Sequence, residues 1–157
     1  MTESKKRPEC DIAAELLQRA FPFWRDGAGH ELCSFLTISD WPADAVVMRD
    51  GEPGDFMGFL VEGKLAVKKE TTFSGKYILV ALLESGSMVG EIAIVEESVR
   101  SATVVAMEKS RLLVLTREDM DRLLAANPEL GIKLLKRIIH VMSTRLQKAS
   151  ARLSWLL

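Results

Sequence analysis

The chain has 157 residues, 48% of them apolar and 27% charged, which is enough for one soluble domain with a substantial core. Its net charge of −1 gives no reason to expect a nucleic acid or a membrane surface as partner. No apolar run approaches the length that spans a bilayer.

The opening MTESKKRPEC lacks the apolar core of a signal peptide, and residues 1–10 read as a flexible polar tail ahead of a single domain over 11–157. Two cysteines, Cys10 and Cys33, are too few for a zinc site, and neither histidine is at ligand spacing to them, so no metal is expected. The default is a cytoplasmic protein with reduced thiols. Residues 11–20 predict a helix capped by Asp11, with Ile12, Leu16 and Leu17 on one face and Pro22 as its stop. A second short helix fits 29–36, SDWPAD reads as a turn, and AVVM begins a strand.

Between 50 and 116 the pattern changes to short strand-like runs: FMGFLVEG, KLAVKKE, KYILVALLE, SATVVAME and RLLVLT. Glycine, aspartate, serine and glutamate punctuate them at fairly regular spacing, which predicts a closed or sandwich-like β unit. After Thr116, a capping residue with acids in the following turn, the period becomes helical again, and Pro128 suits the first turn of a last helix over 128–157. There Ile132, Leu135, Ile139, Met142, Leu146, Ala149, Leu153 and Leu156 alternate by three and four, while Leu134, Ile138 and Val141 form a second apolar face. One face for the β unit and one for a partner helix is the preferred reading over a single wide buried face, so a homodimer through 132–156 is expected. The cations Lys133, Lys136, Arg137, Arg145, Lys148 and Arg152 read as a solvated face rather than a nucleic-acid surface, since no aromatics interleave with them. Met48, Met57, Met88, Met107, Met120 and Met142 read as core filling.

The stretch 88–104, MVGEIAIVEESVRSATV, carries the candidate chemistry. Gly86 and Gly90 allow a sharp turn or a close backbone approach. EIAIV suits one helical turn, whose free N–H groups attract an anion. Arg100 is suited to a bidentate contact with a phosphate, and Glu91, an acceptor only, suits a hydroxyl. An anion cradle beside a hydroxyl acceptor describes a sugar phosphate or nucleotide. The plain alternative is an ion pair of Arg100 with Glu91, Glu96 or Glu97 in a surface loop.

The segment GEIAIVEESVRSAT resembles the phosphate-binding cassette of cyclic nucleotide-binding domains: Gly90, Glu91, Ile92 and Ala93, then Arg100, Ser101, Ala102 and Thr103. GEPGDFMGFLVEGKLAV, 51–67, resembles the turn and strand pair upstream of that cassette. The resemblance implies a mainly β fold: a double-stranded β-helix (jelly-roll) with N-terminal helices and two C-terminal helices. It implies that Gly90 and the amides of Ile92 and Ala93 approach a cyclic phosphate, Arg100 neutralises it, Glu91 accepts from the ribose 2′-hydroxyl and Ser101 adds a contact. Val67, Val80 and Ala81 would wall the purine. Ser150 aligns with a base contact of catabolite-activator regulators, where Ala149 has no hydroxyl to offer. Trp155 reads as a terminal aromatic rather than a lid on the base. The sequence departs from the pattern at Val99, often proline, and at Gly58, often aromatic. Ser101 in place of threonine favours cyclic AMP over cyclic GMP.

These features imply a cytoplasmic cyclic-nucleotide receptor that acts through its own dimer or an unidentified downstream protein. It is expected to have no enzymatic machinery, no DNA-binding domain and no membrane segment. The competing expectation is a ligand-free relative kept as a dimerisation or scaffolding module.

Overall fold

Residues 3–156, with side chains from Cys10 onward, are described by the computed structural model; the first two residues of the expected tail and Leu157 lie outside the described residues. The strands are β1 (Thr37–Trp41), β2 (Val46–Met48), β3 (Phe56–Glu62), β4 (Lys64–Glu70), β5 (Tyr77–Glu84), β6 (Ser87–Val89), β7 (Thr103–Ala106) and β8 (Ser110–Thr116). They form two four-stranded sheets, ordered β1-β8-β3-β6 and β2-β7-β4-β5, with every pairing antiparallel. The helices are α1 (Glu3–Ala20), α2 (Ala28–Leu32), α3 (Ile92–Val95), α4 (Arg117–Ala126) and α5 (Pro128–Leu156), with 3-10 turns at Pro22–Trp24 and Cys33–Phe35. This is the jelly-roll with N-terminal helices and two C-terminal helices.

The alternation of side chains along a strand divides the core in two. On β3 and β8, Met57, Phe59, Val61, Leu113 and Leu115 point to α1, α4 and α5, while Leu60 and Leu112 point into the roll against Val47, Leu65, Val89 and Val104. Both faces of these two central strands are therefore buried, which is why they read as nearly continuous apolar runs. Each fully buried large apolar side chain, such as Leu17, Met57 or Phe59, contributes about 1.5–3 kcal/mol of transfer free energy.

Several local expectations need correction. SDWPAD is a turn only from Pro42; Ser39–Trp41 belong to β1, where Asp40 sits opposite Arg111. Arg111 donates to both carboxylate oxygens, at 2.7 and 3.0 Å, and that bonding holds the Asp40 carboxyl below its ordinary range. Polar residues that resemble a turn here satisfy a cross-strand partner instead. The first helix begins at Glu3 rather than at Asp11, so the stretch read as a tail is helical backbone from Glu3. Its buried stripe is Ala13, Ala14 and Leu17 with Leu16; Ile12 is exposed. Met107 and Met142 are exposed as well, unlike Met48, Met57, Met88 and Met120.

The expectation of reduced thiols is also overturned. Cys10 and Cys33 are joined in a disulfide, with their Cα atoms 5.1 Å apart. Cys10 lies one turn before Ala13 and Ala14 on the buried stripe of α1, which packs on the 3-10 turn that carries Cys33. A separation of 23 residues says nothing of this proximity, because the packing of α1 creates it.

Thr116 caps α4 as expected, accepting from the Asp119 N–H at 3.0 Å. On α5, Leu130, Leu134 and Ile138 are buried against the roll and the other helices. The opposite face leaves Ile132, Ile139, Met142, Leu146 and Leu153 exposed. The basic run is not wholly solvated: Lys133 pairs with Asp26 and lies over Phe23, and Arg137 lies over the same ring. No helix among the described residues is long and apolar enough to cross a membrane. Protein denatured without reductant is expected to show no free thiol in a thiol titration and two after reduction; two free thiols before reduction would restore the sequence expectation.

Candidate ligand-binding site

A cavity of about 460 Å³ opens between the second sheet, the 88–102 segment and α5, within the size range of small-molecule sites. Its wall is apolar: Met48, Val67, Val80, Ala81, Leu83, Val89 and Val104. Its polar groups converge at one end, where Gly90, Glu91, Ala93, Ser98, Arg100, Ser101 and Arg145 lie. The wall residues come from β2, β4, β5, β6 and β7, and the polar end is built by the segment around α3.

That segment is shaped by a glycine. Gly90 has φ +72, a left-handed conformation that L side chains rarely adopt. A Cβ there would also meet Met48 Cε at 2.6 Å and Arg100 Nη1 at 2.7 Å. The turn lets the chain pass directly into α3. Of the two amides expected to face an anion, that of Ala93 donates to Gly90 O at 3.3 Å.

Arg100 is 7% exposed and makes none of the ion pairs found among the described residues. The surface ion pair considered from sequence does not form. Its guanidinium donates to Phe56 O at 2.8 Å and to Gly90 O at 3.4 Å, and it lies over the Phe56 ring at 4.7 Å. Burial lowers its pKa from the ordinary value; Asp55 and Glu91 oppose this, and Arg117 reinforces it. Its backbone is pinned on both sides by the turn upstream: Gly51 N–H donates to Arg100 O at 2.9 Å, and Arg100 N–H donates to Glu52 O at 2.8 Å. The 51–54 motif thus builds the mounting for the arginine.

Glu91 is 5% exposed and already has a partner. Arg145, from the middle of α5, donates through Nη1 to Glu91 Oε1 and through Nη2 to Met88 O at 2.6 Å. The sequence reading placed Arg145 on a solvated face and missed it. Its only signal was its place in RLQKAS, the stretch aligned with base contacts, because nothing local shows that α5 passes over the cavity. The structure brings Gly90, Glu91, Ile92, Ala93, Arg100, Ser101, Val67, Val80 and Ala81 to the cavity. It leaves Ser150 outside the lining, on the exposed part of α5, and Trp155 is 90% exposed. Of the two departures, Val99 bridges to Pro53, and Gly58 lies against Leu112 inside the roll, where a Cβ would be 3.1 Å from Leu112 Cδ2.

The fold and this site together define a class. The family model for the cyclic nucleotide-binding domain matches residues 39–127, and the chain belongs to that family. Over 101 residues it is 38% identical to a cyclic nucleotide-gated potassium channel of Mesorhizobium japonicum, covering 64% of this chain and 26% of the channel. Over 115 residues it is 25% identical to the CRP-like cAMP-activated global transcriptional regulator of Mycobacterium tuberculosis, covering 73% of this chain and 49% of that protein. The chain therefore spans about a quarter and about half the length of these two relatives. A cyclic nucleotide-binding domain from Methylobacillus flagellatus superposes with a TM-score of 0.78 at 26% identity, over 84% of this chain and 74% of that one. The regulatory subunit of a cAMP-independent protein kinase A from Trypanosoma brucei shares the fold alone, with a TM-score of 0.73 at 20% identity over 95% of this chain and 53% of that one.

A Cβ on Gly54 would meet Ala93 Cβ at 2.8 Å and the Arg100 side chain at 3.1 Å. Gly54→Ala is expected to lower stability by about 1–3 kcal/mol in denaturant unfolding, because neither neighbour is free to move. A neutral result would show that the turn behind Arg100 yields easily.

Proposed function

We propose that this chain is a cyclic-nucleotide receptor module, with cyclic AMP as its ligand, that signals through the position of α5. The observation that carries the reading is Arg100: a buried guanidinium with no carboxylate partner, at the polar end of a cavity with apolar walls. A cyclic phosphate supplies the missing anion, in charge-assisted bonds from Arg100 supported by the Ile92 amide, by Ser101 and by the Ala93 amide, whose long bond to Gly90 O the phosphate would share or replace. Gly90 leaves room for the phosphate to approach the main chain. Glu91 accepts from the ribose 2′-hydroxyl, and Val67, Val80 and Ala81 cover the purine. Ser101, rather than threonine, supports cyclic AMP over cyclic GMP.

Arg145 supplies the output. A ribose hydroxyl and Arg145 compete for Glu91, so a bound nucleotide weakens the tie between α5 and the cassette and shifts the helix population. Ser150 comes to the base only after such a movement. The exposed seam of α5, from Ile132 to Leu156, supports a homodimer that carries the shift to a downstream protein in the cytoplasm.

One observation favours the scaffold reading instead. Glu91 already has a charge partner in Arg145 without any ligand. The two readings part in a melting experiment. At a concentration one hundred times its Kd, cyclic AMP is expected to add about 2.7 kcal/mol, or roughly 5–10 °C in Tm. 5′-AMP is expected to add nothing; no shift with either cyclic nucleotide establishes the scaffold. Arg100→Ala is expected to weaken binding by about 2–5 kcal/mol, roughly thirty- to several-thousand-fold in calorimetry. Unchanged affinity removes Arg100 from the site. Sedimentation is expected to show a dimer that the pair Ile139→Lys and Leu146→Lys converts to a folded monomer; a monomeric parent chain refutes the seam.

A further inference from the structure

We propose that Arg117 is the joint through which the state of the cavity reaches the C-terminal helices, an inference that rests on the cyclic-nucleotide reading above. Arg117 is the first residue of α4 and is half-buried. It takes part in none of the ion pairs among the described residues. Its guanidinium instead gathers three main-chain carbonyls. Nε donates to Ala93 O at 3.1 Å, and Nη2 donates to Ala93 O at 2.8 Å, Gly54 O at 2.6 Å and Glu96 O at 3.3 Å. The Arg117 amide N–H donates to Asp55 O at 2.8 Å.

These acceptors identify what is joined. Ala93 is the second residue of α3 and lines the cavity, and Glu96 directly follows the helix, so Arg117 holds carbonyls within and just beyond the short helix that borders the cavity. Carbonyls at a helix end carry partial negative charge and have no partner within the helix, which suits a cation with several donors. Gly54 belongs to the turn packed on Arg100. One side chain at the root of α4 is thus tied to α3 and to the support of Arg100. The planar guanidinium can do this because its five N–H groups are held in a fixed fork; a lysine ammonium reaches fewer acceptors in defined directions.

The cassette is linked to the C-terminal helices at two points, and they differ in one respect. Arg145 holds Oε1 of Glu91, the carboxylate that the proposed ribose hydroxyl also contacts, so in the reading above that link weakens when ligand binds. Arg117 is not part of the cavity lining, and of its acceptor residues only Ala93 is; there the phosphate is assigned to the amide, and Arg117 takes the carbonyl. This second link stays closed in both states. With the first link weakened, a displacement of α3 by the phosphate passes through Arg117 to the start of α4, and from there to α5, which packs with α4 through Leu123, Leu130 and Leu134.

Hydrogen–deuterium exchange of the full chain with and without saturating cyclic AMP tests this, with binding of each variant measured separately by calorimetry. In the parent chain, cyclic AMP is expected to change exchange in segments 117–126 and 128–145. Arg117→Met is expected to bind within about tenfold of the parent yet lose at least about half of that exchange difference. Arg117→Lys, which keeps the charge and one donor group, is expected to recover part of it, a rescue that a general loss of packing would not show. A ligand-binding Arg117→Met with an undiminished exchange difference overturns the inference. If Arg117→Met does not fold, Arg117→Lys decides alone: a reduced response supports the joint, and a full response overturns it. A parent chain that binds neither cyclic AMP nor cyclic GMP overturns the functional reading and this inference with it. A parent chain that binds and signals while Arg117→Met also signals overturns this inference alone.

Discussion

A buried guanidinium without a carboxylate is the constraint around which this molecule is arranged. Removing a charge from water is expensive unless other groups replace the lost hydration. Around Arg100 those groups are the carbonyls of Phe56 and Gly90 and the face of the Phe56 ring. Each demands something of the chain. Gly90 must turn left-handed to present its carbonyl, Gly54 must lack a side chain, and the 51–54 turn must clamp the arginine backbone from both directions. The cost of these arrangements is understandable if an anion completes the coordination in the working state.

The 88–96 segment is gripped from both sides by guanidinium groups of the C-terminal helices. Arg145 of α5 holds its start, at Met88 and Glu91, and Arg117 of α4 holds its end, at Ala93 and Glu96. A few residues around α3 therefore connect the cavity to the helix that carries the long exposed seam. In the proposed reading the contact that differs between the free and bound states is at Glu91, and the element it biases is the long helix α5.

The strands in the middle of the chain were legible because their burial is set by local alternation and by turn residues between them. Phe56–Glu62 and Lys64–Glu70 fall almost where their apolar runs predict; Thr116 marks a helix start through a capping bond to the residue three positions on, and Pro128 marks one through its fixed φ at the first helical position. Ser39–Trp41 was misread because Ser39 and Asp40 are turn-like by type, and their strand partners, Leu112 and Arg111, lie on a strand about 70 positions away. Ile12 was assigned to the core face of α1 because nothing local distinguishes one side of a short apolar stripe from the next.

By itself the sequence determined the cassette, its glycine turn, the acid and arginine within it, and the two-faced apolar pattern of the last helix. These depend on residue type at short spacing, where backbone geometry leaves few choices. Only the tertiary structure decided that Cys10 meets Cys33, that Arg145 occupies Glu91 and that Arg117 gathers the carbonyls of α3. In each case the partners are brought together by packing of whole helices on the roll. That packing is a sum of many small apolar contacts, and no residue pattern along the chain states its outcome.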